Sequence, residues 1–381
     1  MNRVCQNPFA YGVFVSGEQF YDRLEIRRDL TRYIKNGQNV LLYGPRRYGK
    51  SSLASDIMRE LSEGGSTCVW FDFMKVNSLE HFVAEYAKAA YAIASRKDRN
   101  LHSVLNFFRA LRPKLSLSAT GEPSFGIDVS SSGATSETLE EVLSLPERLA
   151  GEERIVVFFD EFQEIERLSS DFMLERIFRS VIQRQKHVTY VFLGSKTHTL
   201  KRMFTDATRP FYESSAVLCM EKPPMAESVQ FVKDRFVSCG LTCPDEVAGC
   251  ILRESRNIPY YLQLLGAEVF DCVCGHGASE AALEDVEKAV QKIHRQKRDV
   301  FESRMESLSA HQRTLVFALA HEETEVFSDD YRARHSLGQY TTVKSAASVL
   351  MDRGLLECEN GFYRVADPFF ISFLNEGIYR L

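Results

Sequence analysis

One short segment constrains this chain more than any other: Gly44-Pro-Arg-Arg-Tyr-Gly49-Lys50-Ser51-Ser52 fits G-x-x-x-x-G-K-[ST]. Such a loop grips phosphate only when a strand delivers the chain to it and a helix carries the chain away. Both flanks are present. The apolar run Asn39–Tyr43 reads as a strand and Ser51–Leu61 as a helix. The glycines let the backbone curl until its N–H groups converge on phosphate oxygens, and the helix N-terminus adds partial positive charge. Lys50 suits the β- and γ-phosphates of ATP, and the Ser51 hydroxyl suits Mg²⁺. The candidate nucleotide ligands are Gly44, Pro45, Arg46, Arg47, Tyr48, Gly49, Lys50, Ser51 and Ser52. Arg46 and Arg47 fill variable positions and either touch phosphate or face solvent.

Strands alternate with helices through the first part of the chain. Thr67–Met74 reads as a short buried strand, Ser78–Arg96 as an amphipathic helix, Arg154–Asp160 as a central strand, Phe172–Lys186 as a helix and Val188–Leu193 as a buried strand. Alternation inside residues 112–130 predicts a β-hairpin insertion. The pattern implies an α/β, doubly wound parallel-sheet nucleoside triphosphatase core, with ligands at the carboxyl ends of its strands. From Ala226 to Arg304 the periodicity is helical. After Ser309, a helix–turn–helix and the short strands 355–358 and 362–365 give a winged-helix pattern. The expected domains are a core at 1–222, a helical lid at 223–304 and a winged helix at 305–381.

The strand Ile155–Phe159 ends in Asp160-Glu161, the acids expected opposite the phosphate loop. Asp160 would hold Mg²⁺, and Glu161 would take a proton from the attacking water or orient it. Glu164 and Glu166 read as solvated helix charges. Ser195 ends the next strand, where a hydroxyl either meets the γ-phosphate or the water, or caps a helix. Arg209 is either a transition-state arginine offered to a neighbouring subunit or half of a structural ion pair.

Composition narrows the class. The chain has 381 residues, 44% hydrophobic and 26% charged, with a net charge of -5. That charge gives no global pull toward nucleic acid. Nine scattered cysteines lack paired metal-ligand spacings and read as free thiols, which fit a reducing cytoplasm. The N-terminus lacks the layout of a signal peptide, and no apolar run approaches the ~20 residues of a membrane helix. The expectation is a cytoplasmic protein without a membrane partner.

Further segments recur in a known order: Asn7-Pro-Phe9, Phe20–Glu25, the phosphate loop through Leu53, Phe159-Asp-Glu-Phe-Gln163, Leu193-Gly-Ser195, Arg209-Pro-Phe-Tyr212 and Asn257-Ile-Pro-Tyr-Tyr-Leu262. With them the chain resembles the archaeal-type ATPases of the STAND branch of AAA+ proteins over nearly its whole length. The resemblance implies a AAA+ core, a helical lid and a winged helix. It assigns Lys50 and Ser51 to ATP–Mg²⁺, Asp160 to magnesium, Glu161 to hydrolysis, Ser195 to the sensor position and Pro259 to the lid proline facing the nucleotide. The segment around Phe20 to Arg23 falls near the adenine. The chain departs from the family at Ser214, where an arginine is frequent, and at Arg256 and Asn257, where small residues are frequent.

Two functions follow as expectations. One is an ATPase that works as a nucleotide-dependent conformational switch, slow or partner-stimulated, with the winged helix contacting a protein partner or a second copy. The other is an ATP-dependent DNA-binding regulator or initiator-like protein. Between Phe301 and Leu381 eight Lys and Arg stand against twelve Asp and Glu, which favours protein contact over DNA. The aromatic stretch Phe369, Phe370 and Phe373 either packs against the wing or offers an apolar docking surface.

Overall fold

The computed structural model describes residues 5–13, 23–97, 113–117, 123–127, 135–169, 171–359 and 361–376. The chain forms two compact units: residues 14–221, and a second in which the N-terminal segment joins Lys222–Leu381.

The first unit opens with helix α1 (Leu24–Lys35), strand β1 (Val40–Tyr43) and helix α2 (Lys50–Glu63). Then come β2 (Thr67–Asp72), α3 (Leu79–Lys97) and the antiparallel hairpin β3 (Pro113–Leu117) and β4 (Pro123–Ile127). Helices α4 (Ser136–Leu143) and α5 (Leu145–Ala150) lead to β5 (Ile155–Asp160). The unit ends with α6 (Met173–Ile182), β6 (Val188–Gly194), α7 (Thr197–Thr205) and β7 (Ala216–Cys219).

Five parallel strands lie in the order β2-β5-β6-β1-β7. Helices cover such a sheet on both faces, so its inner strands read as unbroken apolar runs. Every residue of β6 is buried, and so are Ile155–Phe159 of β5. The middle strand is β6; β5, expected there, is one place toward the edge. Strand β7 was not anticipated. It has four residues that alternate between half-buried and exposed at the sheet edge, so it carries no apolar run. Under the carboxyl ends of β5 and β6, Phe159, Phe162, Phe178, Phe192 and Phe204 are fully buried and in mutual ring contact. This aromatic packing gives the loop after β5 a rigid floor.

The second unit contains α8 (Met225–Val237), α9 (Asp245–Glu254), α10 (Pro259–His276) and α11 (Leu283–Glu306). Next are α12 (Ala310–His321), α13 (Asp329–Arg334), α14 (Tyr340–Asp352), the β8–β9 hairpin (Leu356–Glu359, Phe362–Val365) and α15 (Pro368–Asn375). Proline at the start of α10 suits a position where the N–H has no helical partner.

Two expectations are corrected here, and one pair of alternatives is decided. Asn7-Pro-Phe9 belongs to this unit, not to the nucleotide core: Asn7 donates to the Ala267 carbonyl at 3.0 Å, and the Phe9 ring fills the space where Gly266 lacks a Cβ. Cys5 and Cys239 form a disulfide, so the cysteines are not all free thiols. The aromatics of α15 are no open surface. Phe369, Phe370 and Phe373 are buried, and the last two pack on Phe301 of α11 with ring centroids 5.2 Å apart.

Candidate active site

The phosphate loop joins β1 to α2. Gly44 starts it because a Cβ there would lie 2.5 Å from the Met220 carbonyl on the chain leaving β7. Gly49 ends it with φ +92, a left-handed conformation that L side chains resist. Lys50 is 6% exposed, and its ammonium donates to the Pro45 carbonyl at 2.7 Å. The cation thus lies folded inside the loop's own backbone. Arg46 and Arg47 are exposed and Tyr48 is buried. Of the segment expected near adenine, only Arg23 lies within the described residues. Its guanidinium donates to the carbonyls of Tyr48, at 3.3 Å, and Glu221.

Parallel pairing puts Asp72 and Asp160 level at the carboxyl ends of β2 and β5. The Ser51 hydroxyl donates to Asp160 Oδ1 at 3.5 Å, which joins the loop to the acidic strand end. Burial, then the charges of Glu161 and Asp72, push the Asp160 carboxyl up to about 6; the Glu161 N–H and the Ser51 hydroxyl oppose the rise. A hydroxyl facing a desolvated carboxylate among other acids suits a hard divalent cation, which takes oxygen ligands. Ser51 and Asp160 are the residues that would hold magnesium. When bound, that ion would neutralise charge on the transferring phosphoryl group.

Glu161 adopts left-handed backbone, φ +49, so the chain turns sharply out of β5 into the turn Phe162–Arg167. Its carboxylate curls back toward β6. Ser195 donates its hydroxyl to both carboxylate oxygens, at 3.0 and 2.8 Å, and its N–H to one of them at 3.3 Å. Arg46 Nε donates in turn to the Ser195 hydroxyl at 3.4 Å. A hydrogen-bonded line therefore runs from the phosphate loop through Ser195 to Glu161.

Three contributors were not assigned a role from the sequence. Gln163, 3% exposed, donates its amide N–H to Glu161. Gly194 makes room for it, since a Cβ there would lie 2.0 Å from Gln163 Oε1. The signal was present as a glutamine in Phe159-Asp-Glu-Phe-Gln163 and a glycine before Ser195. Asp72 was visible only as an acid within an otherwise apolar run.

Arg209 lies elsewhere. Its side chain is 2% exposed and donates to Glu166 at 2.6 Å and to Glu175, with its guanidinium over the Phe172 ring. A guanidinium locked this way is not presented to another subunit. Glu164 and Glu166, expected to be solvated, are both paired: Glu164 with Arg167 and Lys196, Glu166 with Arg202 and Arg209. Pro259 begins α10 in the second unit.

The family model described as ATPase domain predominantly from Archaea matches residues 20–222, and one described as probable winged helix domain matches residues 299–376. The chain belongs to this archaeal-type ATPase family. No curated protein matches it. The Walker-type ATPase PABY2304 of Pyrococcus abyssi is similar in structure, with TM-score 0.63 and 18% identity over 94% of this chain and 97% of that one. The Aeropyrum pernix ORC1 protein, solved in complex with DNA, has TM-score 0.52 and 14% identity over 94% of each chain. At these identities the likeness concerns fold. This ATPase has no described helix long and apolar enough to cross a membrane.

Proposed function

We propose that this ATPase binds ATP with Mg²⁺ in the phosphate loop, hydrolyses it with Glu161 as base, and uses the nucleotide state to switch its conformation. One observation carries the reading: Ser51, Asp160, Glu161 and Ser195 form one hydrogen-bonded group beside Lys50. Lys50 would exchange the Pro45 carbonyl for phosphate oxygen, a stronger charge-assisted partner. Glu161 would take the proton of the attacking water while Ser195 and Gln163 hold its carboxylate. Arg46, which reaches Ser195, would couple occupancy of the loop to the base. The reading of Pro259 as a nucleotide contact belongs to the same proposal. Calorimetry and phosphate-release assays test it together. Lys50→Ala should lose ATP binding, whereas Glu161→Gln should bind ATP and lose at least about a hundredfold in turnover. Normal ATP affinity in Lys50→Ala protein would remove the site.

The winged helix suits a protein partner or a second copy of the chain. Its one local cluster of basic residues is neutralised: Arg332 pairs with Asp329, and Arg334 with Glu322 and Asp330. Phosphate contacts need cations free to meet them. Likeness to ORC1, solved with DNA, favours DNA binding as the second reading. Duplex binding that weakens steeply with salt would establish it over protein contact.

A further inference from the structure

The second unit contains a cavity of about 440 Å³, within the range of small-molecule sites. Lys222, Arg253, Arg256 and Arg364 line it together with a single carboxylate, Glu323. Pro223, Met225 and Leu252 supply apolar wall. Glu323 pairs with Arg256, and Arg364 is held by Glu357 and Glu359. Among the described residues no ion pair joins Lys222 or Arg253 to an acid.

We propose that this cavity, whose lining comes wholly from the second unit, binds a small phosphate-bearing anion. Like charges gathered around one hollow repel, and the structure registers that cost. Desolvation, then Arg364 and Arg256, lower the pKa of Lys222 against the opposing charges of Glu359 and Glu357; desolvation, then Arg364, lower that of Arg256 against Glu357. An anion between them would relieve both. Backbone conformation points the same way. Arg256 and Asn257 both have φ +53 at the end of α9, where glycine is the usual occupant. Side chains kept at a strained position cluster at ligand sites.

A third feature holds the lining in place. Asn257 is 5% exposed, its amide N–H donates to the Pro223 carbonyl at 2.8 Å, and its Oδ1 has no partner. That hydrogen bond fixes the Asn257 side chain beside Arg256 in the cavity wall. The fitting class is a phosphate ester or short polyphosphate: phosphate for the cations and, in an ester, an apolar body for Met225 and Leu252.

The probe is sodium pyrophosphate, titrated calorimetrically into full-length Lys50→Ala protein so that the phosphate loop is silent. Pyrophosphate should bind, and Lys222→Gln with Arg253→Gln in that background should weaken it at least tenfold. Both residues are exposed, so the fold should survive, and a melting curve checks this. Glu323→Gln removes the one acid of the lining and should tighten binding. Adenosine monophosphate distinguishes the source: tighter than pyrophosphate, it assigns the cavity to a nucleotide; weaker, to a free polyphosphate. No binding by Lys50→Ala protein, or equal affinity with and without Lys222 and Arg253, overturns the proposal.

Discussion

As the proposed base, Glu161 depends on the neighbours that aim it. Ser195 and Gln163 hold the carboxylate, and the left-handed backbone at Glu161 turns it toward them. Gln163→Leu keeps the buried volume and deletes one of these hydrogen bonds. Turnover should fall about tenfold to a hundredfold while ATP affinity stays within about twofold, because the lost interaction acts on the water and not on the phosphates. Steady-state kinetics with calorimetry checks this split; a parallel loss of affinity would make Gln163 merely structural. Asp160 provides a second test, with a definite sign. Its folded-state pKa, about 6, lies above the ordinary 3.8, so the folded protein disfavours the charged form. Stability should therefore fall as pH rises from about 4 through about 6, and stay lower above. Asp160→Asn should stabilise the protein by about 1–3 kcal/mol at pH 7.5, change little at pH 4, and abolish magnesium-dependent turnover. Melting curves at the two pH values measure it. At this scale the sequence was legible wherever chemistry imposes spacing, as at Lys50, Ser51 and Asp160. Gln163 and Gly194 escaped because their roles depend on close contact between a turn and a strand far apart in the chain.

Elements were legible in proportion to their burial. β5 and β6 are covered on both faces and read as unbroken apolar runs, while the edge strand β7 has no such signature. The winged helix showed itself through turn and hairpin spacing. Its last helix kept two readings open, because an apolar sequence does not say whether a neighbouring element covers it. Helix α11 supplies that cover through Phe301. Arg209 illustrates the same limit. Its sequence allowed a finger or a tie; the buried pair with Glu175 on α6 makes it a tie. Arg209→Ala should cost about 3–5 kcal/mol, since it leaves buried carboxylate without its counter-charge. Denaturant unfolding reads this directly. Unchanged stability, together with lost subunit-stimulated turnover, would restore the finger reading.

At the scale of the whole molecule, the nucleotide residues of the loop and the acids sit in one unit, and the winged helix sits in the other. A ligand shifts a conformational equilibrium only by as much as it binds one state better than another. The switch therefore requires that ATP alter how the second unit is held. The unit itself should move as one body, because α11 runs from beside α10 into the winged helix and buries both Val286 and Phe301. Spin labels introduced as unnatural amino acids, one on exposed α6 residue Arg176 and one on Arg298 of α11, report the distance between units without disturbing the cysteines. Pulsed electron resonance on Glu161→Gln protein, with and without ATP–Mg²⁺, is the most direct test of the account. The distance distribution should shift with ATP and remain unshifted when Lys50→Ala is added. Identical distributions in Glu161→Gln protein with bound ATP and without it would contradict the switch.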